Sequence, residues 1–171
     1  MTRIERMEVD VAAARSSLEG MLLGSYLDSF NVSSLQVALR FINAAACPDK
    51  SLYVDLSFSC AAALLDGLAS SSNVGNVDFF VGRAMFLPKI YGKIGLEISG
   101  VDLDSEGRLV LSMGDSLIEL VATDEDVGVE DSVWQVAMER PTGSGPSLGD
   151  SISCVSMGNS IIFMLGAERQ L

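Results

Sequence analysis

Apolar residues near the start of the chain recur at steps of three and four, the spacing of one face of an α-helix. They are Ile4, Met7, Val11, Ala14 and Leu18. Thr2 and Glu5 have the Thr-x-x-Glu spacing of a capping box, and Gly20 or Gly24 would end the helix. The pattern predicts an N-terminal helix packed on a sheet, with a dimerising helix as the alternative.

Most of the remaining chain alternates apolar and polar residues, which predicts β-strands. In the first half the predicted strands cover residues 34–42 and 52–58, and residues 61–76 are interpreted as a short helix or an irregular apolar segment. In the second half they cover residues 93–104, 108–113, 116–122, 132–138, 151–157 and 160–165. Residues 139–150 form a predicted loop, and turn signals occur at residues 47–50, 105–107, 114–115 and 158–159.

The two halves of the chain share an order of features. Residues 20–70 and 88–140 each contain a spaced glycine, an alternating strand, a polar turn and a second alternating strand. Gly24 matches Gly92, and Leu35–Phe41 matches Leu109–Met113. We expect one α+β domain over residues 1–171, dominated by an antiparallel sheet, with an N-terminal helix and a second short helical segment. A duplicated β-meander is one interpretation of the two halves, and chance similarity of two strand pairs is the other.

The composition is apolar for a protein in which no membrane-spanning segment is predicted. Hydrophobic residues make up 49% of the 171 residues, charged residues 20%, and the mean hydropathy is +0.37. No stretch approaches the roughly 18 uncharged apolar residues of a transmembrane helix. The first residues mix acids with bases and lack an apolar core, so no signal peptide is expected. We therefore expect a cytoplasmic protein.

The net charge of −12 comes almost entirely from one segment. Residues 97–131 contain eleven acids and one base, Arg108, which gives −10; residues 1–96 contain nine acids and eight bases, or −1; residues 132–171 contain three acids and two bases, or −1. A surface of one sign repels nucleic acid and anionic membranes and attracts basic partners. The expected partner is a basic protein, and neither nucleic acid nor a membrane is expected.

Candidate catalytic and metal-binding groups are few. The chain has no histidine, which removes the usual general base, a common metal ligand and any Ser-His or Cys-His pair. Cys47, Cys60 and Cys154 share no Cys-x-x-Cys spacing and are interpreted as buried free thiols. Residues 102–107 begin like a calcium-binding EF-hand loop, but the twelfth position is Met113, so a hairpin turn is the better interpretation. We expect no enzyme activity, no cofactor and no bound metal.

The densest group of acids is the clearest candidate for a binding site. Five carboxylates fall within eight positions, just before the only tryptophan, Trp134; they are Asp124, Glu125, Asp126, Glu130 and Asp131. Acidic rims speed association with basic partners, and aromatic side chains anchor the complex. We expect these six residues to contact a partner, with Asp104 and Glu106 on a second turn nearby. Two alternatives stay open: Trp134 as a core residue, and the acids as an aid to solubility.

The meander and the acidic loop also carry a family resemblance. Within residues 90–138 the pattern is a glycine-containing strand, two glycine-containing turns, and an acidic loop that leads to a tryptophan-containing strand. It includes Gly92, Glu106–Leu109, Gly114-Asp115, Leu117–Leu120 and Ser132–Trp134. This part of the chain resembles small bacterial immunity proteins that neutralise polymorphic or contact-dependent toxins. It departs from them at Met113, where an aromatic residue is more typical, and at Gly114-Asp115, which reverses the usual order.

The resemblance implies a non-enzymatic inhibitor that covers the active site of a toxin. Many such toxins are basic nucleases, and an acidic face then takes the place of nucleic acid phosphates. The leading hypothesis is therefore an intracellular immunity protein that binds and occludes a basic toxin. The alternative is a self-assembling structural or oligomeric protein, in which apolar surface is buried between subunits. A third hypothesis is a small-molecule binder or an enzyme that uses carboxylates. The sequence assigns no oligomeric state.

Overall fold

The computed structural model describes nine stretches of the chain, residues 2–33, 36–43, 52–59, 63–65, 68–69, 87–121, 132–140, 147–157 and 160–170. One α-helix, α1, covers Val11–Leu22, and residues 87–91 form a short helical segment. The strands are β1 (Thr2–Val9), β2 (Tyr26–Val32), β3 (Gln36–Asn43), β4 (Leu52–Ser59), β5 (Ala63–Leu65), β6 (Leu68–Ala69), β7 (Gly100–Leu103), β8 (Leu109–Met113), β9 (Ser116–Leu120), β10 (Ser132–Arg140), β11 (Ser147–Met157) and β12 (Ser160–Gln170).

The strands form two antiparallel sheets. The larger has seven strands in the order β1-β12-β11-β10-β4-β3-β2, and the smaller has five in the order β6-β5-β9-β8-β7. In sequence, the smaller sheet lies between β4 and β10, which are neighbours in the larger sheet. Antiparallel sheets that dominate the chain, with one helix near its start, confirm the expected α+β class.

The helix begins later than the Thr2–Glu5 capping box predicts, so that prediction is wrong. Thr2–Val9 instead pairs residue by residue with β12. The cap is Asp10, whose carboxylate accepts a hydrogen bond of 2.7 Å from the backbone N–H of Ala13. Steps of three and four do not fit one side of a strand, whose side chains alternate with a period of two. Residues 2–9 form β1 because pairing with β12 satisfies more backbone hydrogen bonds than an isolated first helical turn would.

The core forms where the alternation predicts it, on one face of the seven-stranded sheet, called here the inner face. Buried side chains lie opposite one another in the β3–β4–β10 register, as in the row Val37, Phe58, Trp134 and the row Leu39, Leu56, Val136. Removing such a side chain from water stabilises the fold by about 1.5–3 kcal/mol. Helix α1 packs on this inner face against β12, β11 and β3, contacts β7 of the smaller sheet, and buries Ala14, Leu18, Met21 and Leu22.

The five-stranded sheet covers the rest of the inner face. Its own apolar positions join the same core: Val101, Leu103, Leu109, Leu111, Met113, Ile118 and Leu120. The two predicted turns of this meander are confirmed, since Met113 pairs with Ser116 across Gly114-Asp115 and Leu103 pairs with Leu109 across residues 104–108.

Five other expectations need correction or lie outside the described residues. The strand predicted over 93–104 is limited to Gly100–Leu103, and residues 63–65 and 68–69 are short strands rather than helix. The loop predicted over 139–150 is shorter, because β10 continues to Arg140 and β11 begins at Ser147. The turn signals at 47–50 and 158–159 fall outside the residues that the structure describes.

The proposed match between the two halves is shifted by three residues. Gly24 and Gly95, rather than Gly24 and Gly92, both have a positive φ, of 75° and 86°. Their hydrogen bonds correspond: Gly24 N–H donates to the Ile98 carbonyl, three residues beyond Gly95, and Gly95 N–H donates to the Leu27 carbonyl, three residues beyond Gly24. Each glycine follows a helical segment and leads into a β-hairpin. The duplication itself stays a prediction.

Candidate docking surface

Carboxylates gather on the side of the five-stranded sheet that faces away from the core. Asp102 of β7, Val110 of β8 and Glu119 of β9 are register partners across this outer side. Asp104 and Glu106 lie in the adjoining β7–β8 turn. We call Asp102, Asp104, Glu106 and Glu119 the acidic face.

Two arginines contact the acidic face without balancing it. Arg108 donates to Glu119 Oε2 from Nε at 3.0 Å and from Nη2 at 2.7 Å, and Arg15 Nη1 lies 2.9 Å from Asp102 Oδ1. The hydrogen bond to Glu119 and the negative charge of that carboxylate raise the pKa of the Arg108 guanidinium. Four carboxylates against two guanidinium groups leave a net charge of −2. Exposed ion pairs of this kind contribute only about 0–1 kcal/mol to stability.

Asp104 has a structural role that the sequence-based prediction did not include. Its Oδ1 accepts hydrogen bonds of 2.9 Å from the backbone N–H groups of both Glu106 and Arg108. This side chain therefore holds the β7–β8 turn, while Glu106 is exposed on the same turn. A φ of +80° at Gly107 completes the turn.

Trp134 lies in the core, which settles the alternative left open by the sequence, and its assignment as an exposed partner contact is wrong. Its relative exposure is 0%, and its ring packs 6.3 Å from that of Phe163. The indole Nε1 donates to the Gly107 carbonyl at 2.9 Å. Burial of the Trp134 side chain between the two sheets is favourable because the Gly107 carbonyl accepts a hydrogen bond from its only polar atom, the indole nitrogen.

The five acids of residues 124–131 fall outside the described residues, but the chain on either side of them is described. Before them, Leu120 pairs with Leu109, next to the 104–108 turn. After them, Ser132 lies two residues from Trp134, whose indole bonds to Gly107 of the same turn. The chain therefore leaves and re-enters the described fold at the end of the five-stranded sheet that carries Asp104 and Glu106.

A second polar feature, which the sequence-based prediction missed, lies on the outer face of the seven-stranded sheet. Arg40 of β3 binds its register partner Asp55 of β4 through Nε–Oδ1 and Nη2–Oδ2 contacts of 2.7 and 2.6 Å. The Arg40 guanidinium carbon also lies 5.3 Å from the centre of the Tyr53 ring. A shallow cavity of about 400 Å³ beside the pair is lined by Ser29, Phe30, Asn31, Ala38, Arg40 and Asp55. Residues of opposite charge at outward positions of two adjacent predicted strands could have indicated this ion pair.

Other chemistry finds little support in the described stretches. They contain no group of three or more histidine, cysteine, aspartate or glutamate side chains arranged to hold a metal ion. Cys154 is buried and not in a disulfide, as expected, whereas Cys47 and Cys60 lie outside the described residues. None of the helical residues described forms a helix long and apolar enough to cross a bilayer.

Comparison of the chain with protein-family models, with curated proteins and with solved structures returned no match.

Proposed function

We propose that the protein is a non-enzymatic, cytoplasmic binding protein that docks a basic protein partner through the acidic end of its five-stranded sheet. In its most specific form, the proposal is a bacterial immunity protein that occludes a basic toxin. The expected contacts are Glu106, with Asp104 in the same turn, and the five acids Asp124, Glu125, Asp126, Glu130 and Asp131.

One observation carries this proposal. The acid-bearing 104–108 turn lies next to the end of β9, which precedes the 122–131 segment, and bonds to Trp134 near the start of β10, which follows that segment. Charges brought to one place produce a stronger local field than the same charges spread over the surface. That arrangement suits recognition of a basic partner better than it suits solubility alone.

The mechanism would be steric and electrostatic occlusion. Carboxylates at the rim accelerate the encounter with a basic surface and contribute less to the lifetime of the complex. Because Trp134 is buried, it would act indirectly, by fixing the turn that presents Glu106.

The test is capture of a basic partner at low salt, followed by a matched comparison of two charge-reducing double variants. Asp102→Asn with Glu106→Gln lowers the charge of the acidic face by two, and Glu8→Gln with Asp28→Asn makes the same change at exposed positions elsewhere. We expect the first pair to slow association by roughly tenfold and the second to have little effect. Stopped-flow or surface plasmon resonance at several salt concentrations measures this.

Alanine at all five positions of residues 124–131 is the stronger perturbation. If affinity for the captured partner at low salt is unchanged by this variant, the docking proposal is wrong. If the wild-type column retains only further copies of the same chain, the self-assembling alternative replaces it.

A further inference from the structure

Strand β1 forms one edge of the seven-stranded sheet. On one side it pairs with β12 along its whole length, and on the other side no element that the structure describes is hydrogen-bonded to its backbone. The side chains of Arg6, Met7 and Glu8 on this strand are exposed. The N–H and C=O groups along such an edge are able to pair with a further strand.

The exposed part of β1 has an apolar residue between two charges of opposite sign. Met7 is 61% exposed, the largest fraction for a large apolar side chain on the described strands. Arg6 and Glu8 lie on either side of it in sequence, opposite the uncharged residues Gly166 and Met164 of β12. No ion pair or side-chain hydrogen bond joins Arg6 or Glu8 to another residue in the described part of the chain.

We propose that β1 pairs antiparallel with β1 of a second copy of the same chain, about a twofold axis at Met7. The seven-stranded sheets of the two copies would then form one continuous sheet. Arg6 of each copy would lie directly opposite Glu8 of the other, and the two Met7 side chains would meet at the axis.

The charges on β1 favour this register over its neighbours. Opposed residues of an antiparallel pair project to the same side of the sheet, so the twofold axis must pass at a residue position. An axis at Arg6 would bring two guanidinium groups together, and an axis at Glu8 would bring two carboxylates together. With the axis at Met7, each of the four charges has charges of opposite sign as its nearest neighbours. The strand is therefore complementary to itself in this register.

The other charges near this edge do not oppose the pairing. Asp10, just after β1, would lie diagonally from Arg6 of the second copy, which is an attractive arrangement. Glu168 lies on β12, one strand further from the second copy, and the register places it diagonally from its own Arg6. On the other side of the strand, Glu5 would lie opposite Val9 of the second copy, so no like charges are placed opposite each other.

The contact is small, so we expect a weak dimer. Residues 5–9 of the two copies would form about five opposed pairs and about four to six backbone hydrogen bonds. An interface well below the usual ~800 Å² per partner is typical of transient complexes, and we expect a Kd on the order of 10–100 μM. Helix α1 does not obstruct the edge, because it packs over its own sheet against β12, β11 and β3.

The test is sedimentation velocity of the purified full chain at up to about 500 μM. The experiment uses about 0.15 M salt, where the Debye length of about 8 Å limits repulsion between the two net charges. We expect the wild-type mass to rise with concentration towards twice 18.1 kDa. Arg6→Glu and Glu8→Arg should each weaken the dimer at least about tenfold, because each substitution places like charges opposite each other.

Mixing the two variants is the decisive measurement. In a dimer of one Arg6→Glu chain and one Glu8→Arg chain, two acids lie opposite two arginines, so the mixture should dimerise at least as tightly as the wild type. Lys89→Glu and Asp28→Arg make the same changes in net charge at exposed positions elsewhere. These two control variants should dimerise like the wild type, and circular dichroism checks the fold of every variant.

Three outcomes would overturn the proposal. They are a monomeric wild type at every concentration, single β1 variants that dimerise like the wild type, and a mixture of those variants that forms no more dimer than either alone. None of them bears on binding of a basic partner at the acidic face, which the capture experiment tests separately.

Discussion

The two sheets have the same kind of inner face and different outer faces. Both bury a regular row of apolar side chains in one core. On the outside, β7–β9 present Asp102 and Glu119 beside an acidic turn. The described outward side chains of β3, β4, β10 and β11 are mostly alanine, serine, glutamine and apolar residues, with one ion pair between Arg40 and Asp55. Alternation fixes which side of a strand is buried, whereas the identity of the outward residues fixes the charge and polarity of the exposed surface.

The largest expected loss of stability is at Gly107, where the turn of the smaller sheet contacts the larger sheet. A Cβ at this position would lie 2.7 Å from Cys154 Sγ and 3.0 Å from Ile161 Cγ2, and the φ of +80° already disfavours any other residue. We expect Gly107→Ala to lower the free energy of unfolding by about 3 kcal/mol, from backbone strain and overpacking together.

The matched control is Gly114→Ala in the neighbouring turn of the same meander. Gly114 also has a positive φ, of 63°, but no atom within 4 Å of the added Cβ. Its cost should be only about 1 kcal/mol. Urea unfolding followed by Trp134 fluorescence and by circular dichroism measures both variants. Equal costs would show that Gly107 is constrained by its turn alone and not by contact between the sheets.

A smaller loss of stability is expected at Asp104, which belongs to the acidic face and also accepts the hydrogen bonds that hold the β7–β8 turn. Asp104→Ala removes the acceptor for two backbone N–H groups and should cost about 1 kcal/mol. Asp104→Asn keeps an acceptor oxygen, so most of the stability should remain while the charge is lost. Thermal unfolding of the two variants separates the structural role from the charge; if they are equally destabilised, the charge matters more than the hydrogen bonds.

Local features of the fold could be predicted from the sequence, and long-range pairing could not. The alternation predicted over residues 34–42 and 52–58 identified the inward residues Val37, Leu39, Val54 and Leu56 correctly, because side-chain direction in a strand is a local property. The start of the helix was misplaced because pairing of β1 with β12 is a long-range contact that no local capping pattern reports.

The candidate site follows the same division. The excess of acids in residues 97–131 can be found by counting charges along the sequence. That Asp104 holds a turn, that Trp134 is buried against Phe163, and that Arg40 meets Asp55 all depend on register and on packing between sheets. Contacts of that kind cannot be read from a single strand.

The smallest expected effect concerns the surplus negative charge of the acidic face. Raising NaCl from about 0.02 M to about 0.5 M should raise the melting temperature by roughly 2 °C, because salt screens repulsion among the carboxylates. The Asp102→Asn, Glu106→Gln double variant should gain less from salt than the Glu8→Gln, Asp28→Asn control. Differential scanning calorimetry detects the difference; equal gains for both would mean that the repulsion is spread evenly over the molecule.

The position of the smaller sheet in the chain has a consequence for the order of folding. Strands β2–β4 and strands β10–β12 are each built from sequential neighbours, so both can form early from nearby residues. Their union through β4 and β10 spans residues 60–131 and must overcome the entropy of closing that long loop. Contacts between distant residues slow folding. We therefore expect the pairing of Trp134 with Phe58 to form late in folding. The fluorescence of Trp134 would report this step directly.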